Sequence, residues 1–315
     1  MQEAFAYSDR GKRYHTYDYY LRHRYGCKVC RIPLSGGFSC PNRDGTKGVG
    51  GCDFCSGAGS GEFAGDAALP IAQQARQVRA GTVKKWPQAK YIPYFQAFTG
   101  TFAPLWRLRE LYEAALALPD TVGLSIATRP DAIAPEALDY LGELARRTDL
   151  SVELGVQTCH DRTAAALNCQ HTWEEFLECF WRLRERGIAV CVHLIDGLPG
   201  EDRGMMAESA RKVGELRVDA LKLHLLYAVR GTVIGERYER GELRLLSREE
   251  YVDIICDQLE LLPPQTVIQR LTGDGAPGEL LGPQWSRKKL CVLNEIDKEL
   301  RRRDSVQGCR YQAKY

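Results

Sequence analysis

The sequence predicts an α/β fold, a parallel βα array that either closes as a partial (β/α)6 TIM-type barrel or stays open as a doubly wound sheet. Two observations predict it. Six short, near-continuous apolar runs are spaced along residues 29–226, the form strands take when both faces of a parallel sheet are covered. Longer helical patterns separate them, as the crossovers of a parallel sheet require.

The runs, in order, are VCRIPL (29–34), YIPYFQAF (91–98), VGLSIAT (122–128), SVELGVQT (151–158), IAVCVHLI (188–195) and DALKLHLL (219–226). Helices are predicted between them over 67–86, 104–118, 135–147, 172–186 and 202–217. The fourth has the sharpest ends. Thr172 suits the N-cap, Glu175 completes a capping box, and Gly187 supplies a left-handed stop. Trp173, Phe176, Leu177, Phe180 and Leu183 share its apolar face. Beyond 247 the pattern becomes a long helix (247–262), the segment TVIQRLTGD, a Gly/Pro-rich loop and a basic helix near 284–303. The chain therefore divides into a basic, aromatic lead-in (1–28), the βα body (29–246) and a C-terminal helical and strand extension packed on it (247–315).

Hydrophobic residues make up 44% of the chain, enough for a large core, yet no run of about 18 apolar residues marks a membrane span. The segment MQEAFAYSDRGKRYHTY has no apolar signal-peptide core, which points to the cytoplasm. Twelve cysteines are not expected to pair as disulfides there. Six of them, Cys159, Cys169, Cys179, Cys191, Cys256 and Cys291, read as small buried hydrophobes. A net charge of +2 excludes a whole-chain polyelectrolyte binder, but residues 1–31 carry +4 and residues 283–315 carry +5 around an acidic middle. Such ends fit either a nucleic-acid footprint or solvated faces.

Five of the remaining six cysteines cluster early, and the sixth is Cys309. CPNRDGTKGVGGCDFC places Cys40, Cys52 and Cys55 at C-x11-C-x2-C, with Cys27 and Cys30 just upstream. Cys27, Cys30, Cys52 and Cys55 could close a zinc ribbon. Against this, residues three apart on a strand face opposite ways, so Cys27 and Cys30 are poorly placed to pinch one ion, and Cys40 is left idle. Alternatively, Cys40, Cys52 and Cys55 hold three irons of a [4Fe–4S] cluster, which normally takes four thiolates, and leave one iron open. The loop follows the first strand, where βα folds place their chemistry.

The segment IPLSGGFSCPNRDGTKGVGGCDFCS resembles the cluster loop of a bacterial subgroup of radical S-adenosylmethionine (SAM) proteins related to the catalytic subunit of Elongator. YFQAFTGTFAP, SIATRPD, ELGVQT, HLIDGLPGE, LKLHLLYAVRGT and VIQRLTGDG resemble further segments of that family in the same order, over roughly residues 7–305. The resemblance implies a partial TIM-type barrel with a [4Fe–4S] cluster on Cys40, Cys52 and Cys55. It implies SAM cleaved reductively to a 5′-deoxyadenosyl radical, which abstracts hydrogen from the substrate. It also implies an electron donor such as a flavodoxin or ferredoxin.

For SAM binding the resemblance points to Gln96, Thr99 and Thr101, in the place of a usual GGE motif, although this chain has FTGT and no Glu there. It points also to Ser125, to Arg129 as a bidentate grip on the SAM carboxylate, to Glu153 and Gln157, and to the Gly197–Glu201 turn beside the adenine. On the substrate side are Lys222, His224, Tyr227, Arg270, Thr272 and Asp274. His171 and His193 read as structural histidines. Where the family pattern reads LNRGH this chain has LNCQH, with Cys169 and Gln170. The lead-in RGKRYHTYDYYLRHRYG interleaves cations with Tyr, as single-stranded RNA recognition requires, or as an amphipathic segment packed on the barrel would. The resemblance points to the tRNA anticodon region: the wobble uridine, its position-5 side chain converted from carboxymethylaminomethyl to aminomethyl, with a methyltransferase acting downstream. The same chemistry on a small molecule or a protein, and a non-enzymatic zinc-ribbon RNA module, are the alternatives.

Overall fold

The computed structural model describes residues 5–273, 275 and 278–313. In chain order the elements are α1 (Tyr17–Tyr25), β1 (Val29–Leu34), α2 (Ile71–Val83), β2 (Lys90–Phe95), α3 (Leu105–Leu116), β3 (Gly123–Thr128), α4 (Pro135–Ala145), β4 (Asp149–Gln157), α5 (Asp161–Ala166), α6 (Trp173–Glu185), β5 (Ala189–Asp196), α7 (Arg203–Glu215), β6 (Ala220–Leu225), β7 (Ala228–Val229), α8 (Val233–Glu239), α9 (Arg248–Leu261), β8 (Val267–Arg270), β9 (Leu280–Gly282) and α10 (Lys289–Arg302). Seven strands form one all-parallel sheet in the order β1-β2-β3-β4-β5-β6-β8, curled into a half-barrel with helices outside. The six expected strands are all present, and VIQR, within the segment read as an extension, adds a seventh beside β6. A small antiparallel pair, β7 with β9, stands apart from this sheet. No helix among the described residues is long and apolar enough to cross a membrane.

Local chemistry sets the element ends. Thr172 Oγ1 accepts the Glu175 N–H at 3.2 Å and Glu175 Oε2 accepts the Thr172 N–H at 2.8 Å, so the predicted capping box closes at the start of α6. A cap of this kind is worth about 1 kcal/mol. Gly187, at φ 70°, ends the helix. Phe176, Phe180 and Leu183 are fully buried against the sheet, which is the face the periodicity selects. The main core runs unbroken from Ile32 and Leu34 on β1 to Ile268 on β8 and on to Val292, Ile296 and Leu300 of α10, so the C-terminal helices share the apolar layer between the sheet and its helices.

The lead-in carries α1, capped by Thr16, and it closes the N-terminal end of the barrel. Thr16 pairs with Ile268 at the free edge of β8, and the Ile268 N–H donates to the His15 carbonyl at 2.8 Å. Tyr17 and Tyr20 pack on Cys191, Ala220 and Val267. Arg22 and Lys28 pair with Asp18, and Arg24 pairs with Asp149. The alternation of cations and tyrosines thus serves packing and internal ion pairing. Much of the basic C-terminal helix is paired in the same way: Arg303 meets Asp253, Asp257 and Glu299, and Arg302 meets Glu299.

Candidate active site

A cavity of about 540 Å³ lies at the C-terminal ends of the strands, lined by all three thiols of the glycine-rich loop. Cys40, Cys52 and Cys55 are half-buried, whereas Cys159, Cys169, Cys179, Cys191 and Cys256 are buried. Cys291, expected inside, is exposed, because its place on α10 turns it away from the sheet. The loop is fastened from two sides. Arg43 lies across it, donating from Nη2 to the carbonyls of Cys55 at 2.9 Å and Ser56 at 2.6 Å, with its guanidinium 5.7 Å from the Phe98 ring centre. Gly51 makes this possible: its φ is 84°, and a Cβ there would lie 2.7 Å from Arg43 Nε. On the other side the turn 167–171 clasps the loop. The Asp53 N–H donates to the Leu167 carbonyl at 3.1 Å, and Asn168 Nδ2 donates to the carbonyls of Gly51 at 2.8 Å and Val49 at 3.2 Å. Asn168 and Gln170, on either side of Cys169, both adopt left-handed backbone at φ 54° and 57°.

The arrangement fits a cluster better than a single ion. No three of the loop and upstream cysteines bring their sulfurs within 4.8 Å of one another among the described residues. One tetrahedral ion with metal–sulfur bonds of about 2.3 Å would draw its thiolates closer than that. A cubane offers its irons at separate corners and takes thiolates that are spread. The surroundings also favour thiolate. The Cys52 thiol is pulled down to about 7, first by the Cys169 thiol donating to it, then by Arg129, Asn42 and Arg43. Burial pushes the Cys55 thiol up, and Arg43 opposes this. The zinc-ribbon alternative fails on placement. Cys30 lies on β1, packed against the main core, and neither Cys27 nor Cys30 reaches the cavity.

The cavity floor is a buried charge network. Glu153 on β4 is fully buried and is met by Arg31 Nη2 of β1 at 2.7 Å, His193 Nε2 of β5 at 2.9 Å and the ammonium of Lys222 on β6. These cations hold its carboxyl well below the ordinary range against the opposing effect of burial. Lys222 also lies 3.1 Å from the Tyr94 hydroxyl and 4.6 Å from the centre of that ring, which Arg31 approaches to the same distance. Burial pulls Lys222 down to about 8, with Glu153 acting against the shift. His193 falls to about 4 through burial and the charge of Lys222, so it is neutral near pH 7. Glu153, Cys191 and His193 converge closely enough to hold a metal ion, but two cations already neutralise the carboxylate and burial keeps the Cys191 thiol protonated.

Of the residues expected to bind SAM, Gln96, Thr99, Arg129, Glu153 and Gln157 line this cavity. Gln157 reaches it through a β-bulge in β4, at φ 70°. Others lie elsewhere. Thr101 is buried, its hydroxyl engaged by Thr128 at 2.6 Å and by the Ala132 carbonyl at 2.7 Å. Ser125 sits one layer deeper than Ala127 and lines a separate cavity at the N-terminal end of the barrel. Gly197 and Glu201 are outside the lining; Gly197 donates to Met206 Sδ at 3.1 Å, and Glu201 accepts from Thr158. Asp131 takes the Nε–Nη2 edge of Arg129, at 2.9 Å for both bonds. Among the substrate-side residues, Lys222, His224, Tyr227 and Arg270 line the cavity; Thr272 is buried beside it, and Asp274 lies outside the described residues. Arg31, Tyr94 and His193 were not singled out as site residues. Their signal was present: each occupies an inward position on an otherwise apolar strand, in step with Glu153 and Lys222.

A model described as the radical SAM superfamily matches residues 40–213, and one described as the radical SAM C-terminal domain matches residues 218–302. The uncharacterized protein YtqA of Bacillus subtilis is 50% identical over 308 residues, 98% of this chain and 96% of that protein. A protein of Methanocaldococcus jannaschii named as a tRNA uridine(34) acetyltransferase is 28% identical over 156 residues, 49% of this chain and 28% of its own length. Among solved structures, archaeal Elp3 of Methanocaldococcus infernus superposes with a TM-score of 0.63 at 18% identity, covering 87% of this chain and 63% of that one, which is a likeness of fold.

Proposed function

The chain belongs to the radical SAM superfamily, an enzyme family that works with a [4Fe–4S] cluster and SAM, and from that premise we propose that it modifies the position-5 side chain of the tRNA wobble uridine, from carboxymethylaminomethyl to aminomethyl. One observation carries the catalytic reading: three half-buried thiols of one loop open onto the same cavity as the Glu153–Lys222–Arg31 network. Cys40, Cys52 and Cys55 would hold the cluster, which with SAM supplies a carbon radical for hydrogen abstraction.

The remaining steps fall to the chain's own side chains. Gln157 and Thr99 offer donors and acceptors at the cavity wall for SAM. Phe54 and Phe98, which line the cavity beside the thiols, exclude water from the reacting end. Glu153 fixes Lys222 and His193 in place, so that a substrate at the floor meets preset donors.

The tRNA reading is supported by the similarity of half the chain to a protein named for its action on tRNA uridine 34. It draws less on charge than the sequence suggested, since Arg22, Arg24 and Lys28 are paired internally. The same observation favours a second reading, identical chemistry on a small molecule. Binding of an anticodon stem-loop separates them. The tRNA reading expects binding that weakens steeply with salt and that Arg22→Gln leaves unchanged. Absence of binding at low salt favours the small molecule. The catalytic premise is checked by anaerobic reconstitution with iron and sulfide: the reduced cluster's EPR signal should shift on addition of SAM.

A further inference from the structure

The floor of the cavity carries more positive charge than it neutralises. Arg31, Lys222 and Arg270 line it, and Glu153, which meets Arg31 and Lys222 directly, is the carboxylate among them. Arg270, at the end of β8, is half-buried, and its side chain has no hydrogen bond or ion pair with any described residue. Next to it on β6, His224 buries Nε2 with no hydrogen-bond partner, its ring 5.1 Å from that of His193. Burial and the neighbouring His193 and Arg270 hold His224 well below the ordinary histidine value, so it is neutral and can donate a hydrogen bond. An unpaired guanidinium beside an unused imidazole, deep in a cavity, is costly unless a ligand completes it.

We propose that Arg270 and His224 form a subsite for a carboxylate of the substrate. This rests on the tRNA reading and specifies which part of the uridine side chain is recognised: the carboxymethyl end. The fork of Arg270 matches a carboxylate bidentately, and His224 Nε2 adds a third donor. Lys222, engaged by Glu153, contributes field more than contact. A phosphate of the RNA backbone is the poorer occupant, because the floor lies inside the barrel and a base side chain reaches it without drawing the backbone in. SAM carries a carboxylate too, and the experiment separates the two sources.

Anaerobically reconstituted protein is titrated with synthetic anticodon stem-loops bearing 5-carboxymethylaminomethyluridine or 5-aminomethyluridine, and separately with SAM. The carboxylate-bearing RNA should bind about tenfold or more tightly, as a charge-assisted bidentate pair implies. Arg270→Gln should erase that preference while leaving the aminomethyl RNA and SAM affinities in place, and Arg270→Lys should keep part of it. Equal binding of the two RNAs, a preference that survives in Arg270→Gln, or a loss confined to SAM overturns the assignment. If neither RNA binds, the tRNA reading fails by itself. N-methylglycine then serves as the probe: saturable binding abolished by Arg270→Gln upholds the carboxylate subsite, and binding that is absent or unaffected overturns it.

Discussion

Gly155 and Gln157 are coupled through space: a Cβ on Gly155 would lie 2.7 Å from Gln157 Nε2. The bulge in β4 turns Gln157 inward, and the missing side chain two residues earlier leaves room for its amide. Gly155→Ala should therefore displace Gln157 with little change in secondary structure. SAM affinity of the reconstituted protein should fall to the same extent in Gly155→Ala and in Gln157→Ala, by about tenfold for one lost polar contact of roughly 1.4 kcal/mol. Equilibrium dialysis with labelled SAM checks it, and an unchanged affinity in both variants removes Gln157 from the SAM site.

Glu153 is the counter-charge of the barrel interior. Glu153→Gln leaves Arg31 and Lys222 buried without a carboxylate, a change that costs about 3–5 kcal/mol. Urea unfolding should show the loss, and adding Lys222→Met to Glu153→Gln should recover part of it. If Lys222→Met deepens the loss instead, Glu153 acts through packing and not through charge.

Acid should loosen the same layer. His193 titrates near 4 when folded against 6.5 for an ordinary histidine, so between those values the unfolded chain binds more protons. The contribution of His193 is then fully present above pH 6.5 and is lost as pH falls towards 4. Glu153, whose carboxyl is also held down, adds to the decline only below its ordinary 4.5. The urea midpoint should drop between pH 7 and pH 5 in the wild type and drop less in His193→Gln.

The thiols should divide cleanly. Ala at Cys40, Cys52 or Cys55 should reduce iron after reconstitution from about four per chain to a small residue. Ala at Cys27 or Cys30, neither of which reaches the cavity, should leave it unchanged. Iron and sulfide assays with EPR read both sets.

The barrel was legible because its strands are near-continuous apolar runs and because α6 begins and ends at the expected residues, Thr172 and Gly187. The seventh strand was harder to read: VIQR is four residues long, and its place beside β6 depends on contacts remote in sequence. The spacing of the thiols left a zinc ribbon and an iron–sulfur cluster open, and the resemblance to radical SAM proteins chose between them. The floor could be read only in part. Lys222 and His224 share one face of a strand at period 2, but Arg31, one cation in the predicted first strand, showed no partner until β1 and β4 brought it to Glu153. Among the SAM positions, Ser125 has the face of the cavity residues but lies a layer deeper, beside a separate cavity. Thr101 is buried with its hydroxyl already bonded.

The seam between β1 and β8 has a consequence in time. Arg31 donates to Gln269, 238 residues further along the chain, so the floor of the cavity cannot exist until β8 has been made. The thiol loop leaves the ribosome far earlier. At about 5–20 residues per second, Cys55 waits roughly 10–40 s for the last strand. Throughout that interval the nascent chain exposes a loop competent for metal on an unclosed half-sheet. Insertion of the cluster before closure would leave it open to oxygen and solvent, so orderly maturation places loading after β8 has joined the sheet.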